Sequence, residues 1–273
     1  AIIVSTKQEN EKNVTFNGSS VQFLPISQFP KIQPGNFKNV ATIQLLLLNN
    51  SPVVYIPPND LPLYASYLSS ISLPTSGGLT CTGVSTCSAI MGGLGISYSN
   101  GTWSITNQYP GFFYVQGNVI VTGYNNVQTG ISVAATGTIQ TTGHGNRNSP
   151  VTFIPFEDPS IQPSYCSQYG GLSPCELVNG SWQSIPALQG VSFVSGGGTT
   201  VGGSNVFVGG DVASNGSLTV GGGGNKYFGG VLVANGDLTL NGAIHLTQPT
   251  KAAQQATLGR IIFQVVATRW LPY

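Results

Sequence analysis

The sequence predicts an all-β protein, namely a β-solenoid of about 20-residue coils with a smaller β-rich N-terminal domain or layer. Three features predict it: glycines that recur at a spacing of twenty, short alternating strands between them, and a composition with 37 glycines and 6% charged residues. Each coil of such a fold buries its apolar face only against the next, so at least three must stack. A glycine-rich meander or sandwich is the alternative.

The repeat is clearest toward the C-terminus. Residues 207–220 and 227–240 align at an offset of twenty, and residues 117–123 and 137–143 show the same spacing. Between the glycines, segments such as 118–121 and 237–240 alternate apolar and polar residues, with the β-branched side chains that favour strands. Glycine and Asn-Gly supply the positive φ that tight corners require.

Composition shifts divide the chain into segments. We expect an N-terminal arm (1–20), a small β-rich domain or leading layer (21–95), a solenoid (96–247) and a C-terminal cap (248–273). Residues 144–189 interrupt the repeat with prolines and cysteines, which predicts a projecting insertion. Because Gly137 and Gly196 are 59 residues apart, close to three coils, this insertion is interpreted as a decorated coil region.

The low charge excludes some functions. Between Asn39 and Gly143 the only charged residue is Asp60, so the clustered Lys and Arg of a nucleic-acid binder are absent. The best apolar run, 43–48, contains Gln44 and is far shorter than the roughly 18 residues of a membrane span. Neutral amides and hydroxyls supply the polarity, which suits an extracellular or cell-surface location.

The four cysteines form two local pairs with spacings of six and nine residues. Such spacings in Gly/Ser/Pro-rich loops predict disulfides and an oxidising compartment, with free thiols in a cytosolic protein as the alternative. Sequons mark candidate glycosylation sites in a glycoprotein, although so much Asn, Ser and Thr produces several by chance. The predicted disulfide residues are Cys81, Cys87, Cys166 and Cys175, and the candidate glycosylation sites are Asn13, Asn17, Asn100, Asn179 and Asn215.

The sequence shows little that could perform catalysis, and we predict no enzyme activity, no cofactor and no metal site. Glu157-Asp158 is the only adjacent carboxylate pair, and its flanking prolines predict a solvated loop. The other candidates are isolated, with His144 at a corner, His245 in a strand, and Asp211 and Asp237 in different phases of the repeat. Such spacing does not build the paired carboxylates of a glycosidase or a metal cluster.

Two further groups are candidates for binding. The aromatic residues just before the first coil could stack on sugars or fill an interface, with a buried domain junction as the alternative. The apolar N-terminus could pair with a neighbouring subunit; a remnant of a removed segment or a frayed terminus are the other interpretations. The candidate binding residues are Trp103, Tyr109, Phe112, Phe113 and Trp182, and the candidate assembly arm is Ala1, Ile2, Ile3 and Val4.

Residues 229–247, Gly-Gly-Val-Leu-Val-Ala-Asn-Gly-Asp-Leu-Thr-Leu-Asn-Gly-Ala-Ile-His-Leu-Thr, resemble the glycine/asparagine-punctuated repeats of PilX-type, type IV pilus-associated proteins. They are also similar to bactofilin-type, polymer-forming solenoids, and the resemblance covers 117–143 and 190–247. The low charge and apolar arm are similar to crenarchaeal extracellular filament subunits, in which such an arm completes a neighbour's sheet.

These resemblances imply export and assembly. The predicted function is therefore a non-catalytic structural protein, a subunit or an accessory or tip component of a pilus-like cell-surface filament. Its expected partners are copies of itself or other filament subunits. The alternatives are a surface adhesin that binds glycans and a β-helix enzyme that degrades polysaccharides.

Overall fold

The computed structural model describes residues 32–246 in full, together with the backbone of three N-terminal strands, and confirms the predicted β-solenoid. It has about seven turns of about 20 residues each. Parallel strands of successive turns lie side by side in columns that form the faces of the solenoid. The predicted C-terminal cap, 248–273, lies outside the described residues.

The central coils contribute strands to three columns. The first column holds β9 (Gly111–Val115), β11 (Ile131–Ala135), β16 (Val191–Ser195), β19 (Asp211–Ser214) and β22 (Leu232–Ala234). The second holds β8 (Thr102–Thr106), β10 (Asn118–Thr122), β12 (Ile139–Thr142), β17 (Thr199–Val201), β20 (Leu218–Val220) and β23 (Leu238–Leu246). The third holds β13 (Val151–Phe153), β18 (Val206–Val208), β21 (Asn225–Phe228) and the second half of β23.

Strand register confirms the twenty-residue period. Val119 pairs with Ile139 in the second column, and Val212 pairs with Leu232 in the first. Across the insertion the offset is sixty, because Val133 pairs directly with Phe193. The spacing therefore represents one coil that carries an insertion of about two coil lengths, which agrees with the interpretation as a decorated coil region.

One coil departs from the period. The pairing of β16 with β19 shifts between Val191 and Phe193, so Phe193 faces Val212 at an offset of nineteen. The twenty-residue offset returns where Val206 pairs with Lys226, after the Gly221–Gly224 corner. The irregularity in β16 shortens the offset by one residue, and one additional residue in the glycine-rich corner returns the offset to twenty.

A continuous core fills the solenoid. Inward positions carry apolar side chains, and Phe153 packs edge to face on Phe193 with ring centroids 5.5 Å apart. Each fully buried side chain of this size contributes about 1.5–3 kcal/mol relative to exposure. At one corner the backbones of successive coils touch, since a Cβ on Gly210 would lie 2.2 Å from the carbonyl oxygen of Gly190. Only glycine fits there.

One end of the stack, the capped end, is closed by the segment that precedes the coils. It comprises β4 (Ile43–Leu48), β5 (Ser51–Ile56), α1 (Leu61–Tyr64), β6 (Leu79–Thr82), α2 (Val84–Gly93) and β7 (Ser97–Ser99), with 3-10 helices at Pro34–Val40 and Pro58–Asp60. Strand β4 is parallel to β9, β5 and β6 follow antiparallel, and β7 pairs antiparallel with β8. This segment shares the core of the coils, so it is a leading layer rather than a separate domain.

The opposite end, the far end, is covered by the start of the chain. Strands β1 (Ile2–Ser5) and β3 (Ser20–Phe23) extend the first column beyond β22, and β2 (Asn10–Phe16) pairs with β23. The predicted arm is therefore longer than residues 1–20. It forms further turns of the stack at the far end. The strands that follow it in sequence, from β4 to β6, lie at the capped end.

The insertion begins later than the predicted boundary at residue 144. Strand β13 belongs to the stack, because Val151 pairs in parallel with Val206. The projecting part lies between β13 and β16 and contains α3 (Tyr165–Tyr169) and a hairpin of β14 (Cys175–Val178) and β15 (Ser181–Ser184). The Cys166–Cys175 disulfide ties the helix to the hairpin.

Candidate assembly interface

At the far end of the stack, the N-terminal strands cover the edge of β22 and β23 by backbone pairing. Ile3 aligns with both Leu232 and Val21, which places β1 between β22 and β3. An uncovered solenoid edge exposes a row of free N–H and C=O groups that pairs readily with any extended strand. Strand β1 pairs in parallel with three residues of β22 at this edge.

A strap of residues 32–42 returns the chain toward the capped end. The backbone N–H of Ile32 donates to Asn215 Oδ1 at 2.7 Å, and Asn215 Nδ2 donates to the carbonyl oxygen of Ile32. Further along, Phe37 packs edge to face on Phe112 at 5.8 Å. Seven inter-strand steps of about 4.8 Å, about 34 Å in all, separate β3 from β4.

Both predicted disulfides are present. Cys81 bonds to Cys87 in the leading layer, and Cys166 bonds to Cys175 in the insertion. Each closes a loop short enough to stabilise the folded chain by roughly 2–3 kcal/mol. They stabilise the leading layer and the insertion, which are the two regions in which irregular segments cover the regular coils.

Two buried carboxyl groups fix the insertion: Asp60 joins it to the leading layer, and Glu157 accepts a hydrogen bond within it. Asp60 accepts hydrogen bonds from the backbone N–H of Ser173, at 2.9 Å, and from the Ser173 hydroxyl. Glu157 accepts one from the N–H of Cys166 at 3.1 Å. Burial raises the pKa of Asp60 to about 6 and the pKa of Glu157 to about 7, despite these bonds. The expectation of a solvated Glu157-Asp158 pair is thus wrong for Glu157, because its side chain packs beneath the disulfide loop.

Two charged residues lie inside the coils. Asp211 accepts a 2.8 Å hydrogen bond from the N–H of Val231, and its second carboxyl oxygen is buried without a partner in the structure. Burial raises the pKa of Asp211 to about 7. Lys226 occupies a core position, and its Nζ donates to the carbonyl oxygen of Gly223 at 2.7 Å. Burial lowers the pKa of Lys226.

Sequence reasoning missed both of these buried charges. The available signal was strand phase, because Lys226 aligns with Val206 and Ile244, which are both core residues. The two histidines lie at the surface. His144 is exposed at a corner beside Ser204, and His245 is half-buried and stacks on Tyr227 at 4.7 Å.

The structure divides the predicted aromatic binding cluster. Trp103, Phe112 and Phe113 are buried in the core, so the expectation that they bind ligands at the surface is wrong for these three. Their strands are covered on both sides, by the leading layer and by the next coil. Tyr109 is half-buried against Tyr67. Trp182 is 39% exposed on the insertion hairpin.

The candidate glycosylation sites differ in accessibility. Asn100 and Asn179 are exposed in hairpin turns with positive φ, so their side chains face solvent. The side-chain amide of Asn215 is hydrogen-bonded to Ile32 of the strap. Asn13 lies on β2, where only the backbone is described, and Asn17 lies outside the described residues. Glycan attachment at these positions stays a prediction.

Within the described residues, no cluster of three or more His, Cys, Asp or Glu side chains is arranged to bind a metal ion. None of the helices in this part of the chain has the length and apolarity to cross a membrane. In comparisons with known proteins, no family, no curated sequence and no solved structure matches this chain.

Proposed function

We propose that this protein is a non-catalytic extracellular structural protein, a subunit or an accessory or tip component of a pilus-like cell-surface filament. One observation carries the proposal: sequence-remote strands β1–β3 complete the far end of the stack. Such strands can leave their own edge and pair with the same edge of a second copy, since backbone hydrogen bonds are independent of which copy supplies the strand.

The geometry of exchange favours an end-to-end contact. In its own chain, β1 lies six inter-strand steps from β4, about 29 Å. Suppose that the capped end of one copy faces the far end of the next. Only β5, β6 and the position of the neighbour's β3 would then lie between β4 and the position of the neighbour's β1. That path has four steps, about 19 Å. A head-to-tail contact of this kind joins different surfaces and builds an open filament rather than a closed dimer.

The surface chemistry suits such a role outside the cell. The chain carries nine Lys and Arg residues and eight Asp and Glu residues in 273, so its polar surface consists mainly of neutral amides and hydroxyls. Neutral hydrogen-bonding groups keep their state over a wide pH range, and the two disulfides fit an oxidising compartment. Neutral faces also lack the like-charge repulsion that opposes close packing of subunits.

Electron microscopy and light scattering of the purified chain over a range of concentrations test the proposal. We expect polymers from the full chain, only monomers from a variant lacking residues 1–23, and shorter polymers when a peptide of residues 1–23 is added to the full chain. Trp182→Ala, which changes the insertion alone, is the control and should assemble normally. Full chain that stays monomeric under every condition contradicts a filament; polymers from the truncated variant contradict only the arm as the connector.

A further inference from the structure

A lateral groove lies where the second and third columns meet, between the first two coils. It encloses about 550 Å³, within the range of 300–1,000 Å³ typical of small-molecule sites. Its floor contains Gly123 and Gly143, which occupy equivalent corners of successive coils. A Cβ on Gly123 would lie 2.0 Å from a methyl carbon of the buried Val151, so the packing of the core keeps this position a glycine.

One wall of the groove presents an aromatic ring to solvent. Tyr124 is 45% exposed, whereas the large aromatic residues Phe153 and Phe193 nearby in the coils are buried. The remaining wall contains the side chain of Val127 and hydrogen-bonding groups: the amides of Gln108 and Asn125, the hydroxyl of Thr122 and the imidazole of His144. None of the described residues that line the groove is a carboxylate, a lysine or an arginine.

A buried asparagine fixes the segment that carries this ring. The Tyr124 N–H donates to Asn107 Oδ1 at 2.8 Å, and Asn107 Nδ2 donates to the carbonyl oxygens of Tyr124 at 3.2 Å and Thr152 at 2.9 Å. Asn107 is fully buried, and its own carbonyl oxygen accepts a hydrogen bond from the Thr129 hydroxyl. The backbone on both sides of the exposed ring is therefore held in place before any ligand arrives.

The other side of the loop is also fixed. Asn125 forms an antiparallel bridge with Val151, and the Ser149 hydroxyl donates to Asn126 Oδ1 at 2.7 Å. A site whose backbone is ordered in advance loses less conformational entropy on binding.

We infer that this groove is a binding site for a neutral saccharide. An exposed tyrosine ring offers a flat apolar face for the C–H side of a sugar ring, and its hydroxyl group can stay in contact with water. Amide side chains both donate and accept hydrogen bonds, which matches the hydroxyl groups around a sugar. The lining has no lysine or arginine side chain to pair with an acidic sugar, which favours neutral sugars. The site lies on a lateral face and does not depend on the proposed filament.

Saturation-transfer NMR and calorimetry with the full chain test this site. The probes are four neutral disaccharides, namely mannobiose, cellobiose, lactose and chitobiose, with sialyllactose as the acidic comparison. We expect at least one neutral disaccharide to bind. Tyr124→Ala should weaken that binding about tenfold, and Tyr124→Phe by less than about threefold, because the ring supplies most of the contact.

Leu177→Ala is the control, because it removes an exposed apolar side chain from the distant insertion hairpin and should leave the affinity unchanged; Trp182→Ala tests the alternative binding residue on the same hairpin. Circular dichroism of each variant establishes that the fold is retained. No binding of any neutral disaccharide at concentrations on the order of 10 mM overturns the inference. It is also overturned if Tyr124→Ala binds like the unmodified chain, if the loss follows Trp182 instead, or if only sialyllactose binds.

Discussion

The two ends of the stack are closed in different ways. At the capped end, strands β4–β6 and helix α2 are near in sequence to the coil that they cover, and the Cys81–Cys87 disulfide ties them together. At the far end, β1–β3 come from the opposite end of the described chain and reach their edge only because the strap runs back along the stack. The local closure includes a covalent link, whereas the closure by the remote arm is the one that the proposed exchange involves.

The largest expected effect tests whether the capped end anchors the fold. Phe113 is fully buried on β9, where β4 and β11 both pack against it. Phe113→Ala should lower the free energy of unfolding by about 3–5 kcal/mol, because it leaves a cavity in a continuous core. Denaturant titration measures this loss. A cost below about 1 kcal/mol would show that the capped end contributes little to global stability.

The next prediction concerns the pH dependence of the coils near the far end. The pKa of Asp211 is about 7 in the folded chain, against an ordinary value of 3.8, so the folded state holds a proton that the unfolded state releases. This contribution to stability is complete below about pH 4 and is lost as the pH rises through about 7. Relative to the unmodified chain, Asp211→Asn should be similar at pH 4 and more stable by about 2–4 kcal/mol at pH 8.

Thermal unfolding over a pH series measures that difference, and Asp158→Asn serves as the control in a more accessible loop. The control should keep the pH dependence of the unmodified chain, because the Asp211 carboxyl is still present. Parallel pH profiles for Asp211→Asn and the unmodified chain would contradict the prediction.

A smaller effect is expected in the insertion, which belongs to neither end. Replacing Cys166 and Cys175 together by Ser opens one short loop and should cost about 2–3 kcal/mol. Since Asp60 and Glu157 still hold this region, hydrogen exchange should rise between β13 and β16 and stay unchanged in β9–β12. Exchange that rises equally throughout the coils would show that the insertion is needed by the whole stack.

The smallest expected effect concerns the strap, which connects the far-end strands to the leading layer. Asn215→Ala removes both hydrogen bonds to Ile32 and should cost about 1 kcal/mol. A looser strap releases the arm more readily, so we expect faster polymer formation by light scattering. Asn148→Ala, an exposed asparagine outside the strap, is the control. Slower polymer formation by Asn215→Ala would argue against exchange of the arm.

The fold was predictable from local signals. Glycine corners, alternating residues and a fixed spacing identify the coils because every coil repeats the same steric requirements, as at Gly190, Gly210 and Gly230. The spacing across the insertion left the number of coils open, because a distance of about three coil lengths does not distinguish three coils from one coil with a long loop. Only the pairing of Val133 with Phe193 resolves that ambiguity.

The candidate sites were less predictable, because they depend on contacts between distant residues. Trp103 and Phe112 are ordinary aromatic residues in sequence, and only the layer packed over them makes them core. Glu157 is surrounded by prolines, yet a loop that folds back over it removes it from water. The role of Asn107 has no local signature, since its partners Tyr124 and Thr152 are 17 and 45 residues away.

The insertion between β13 and β16 has a consequence for how such a molecule diversifies. The coils on either side of it, represented by Val133 and Phe193, pair as directly as those without an intervening loop. The pairing of these coils therefore sets no requirement on the length of the segment that joins β13 to β16. Loop length and coil register are thereby separate properties of the chain, each open to change on its own.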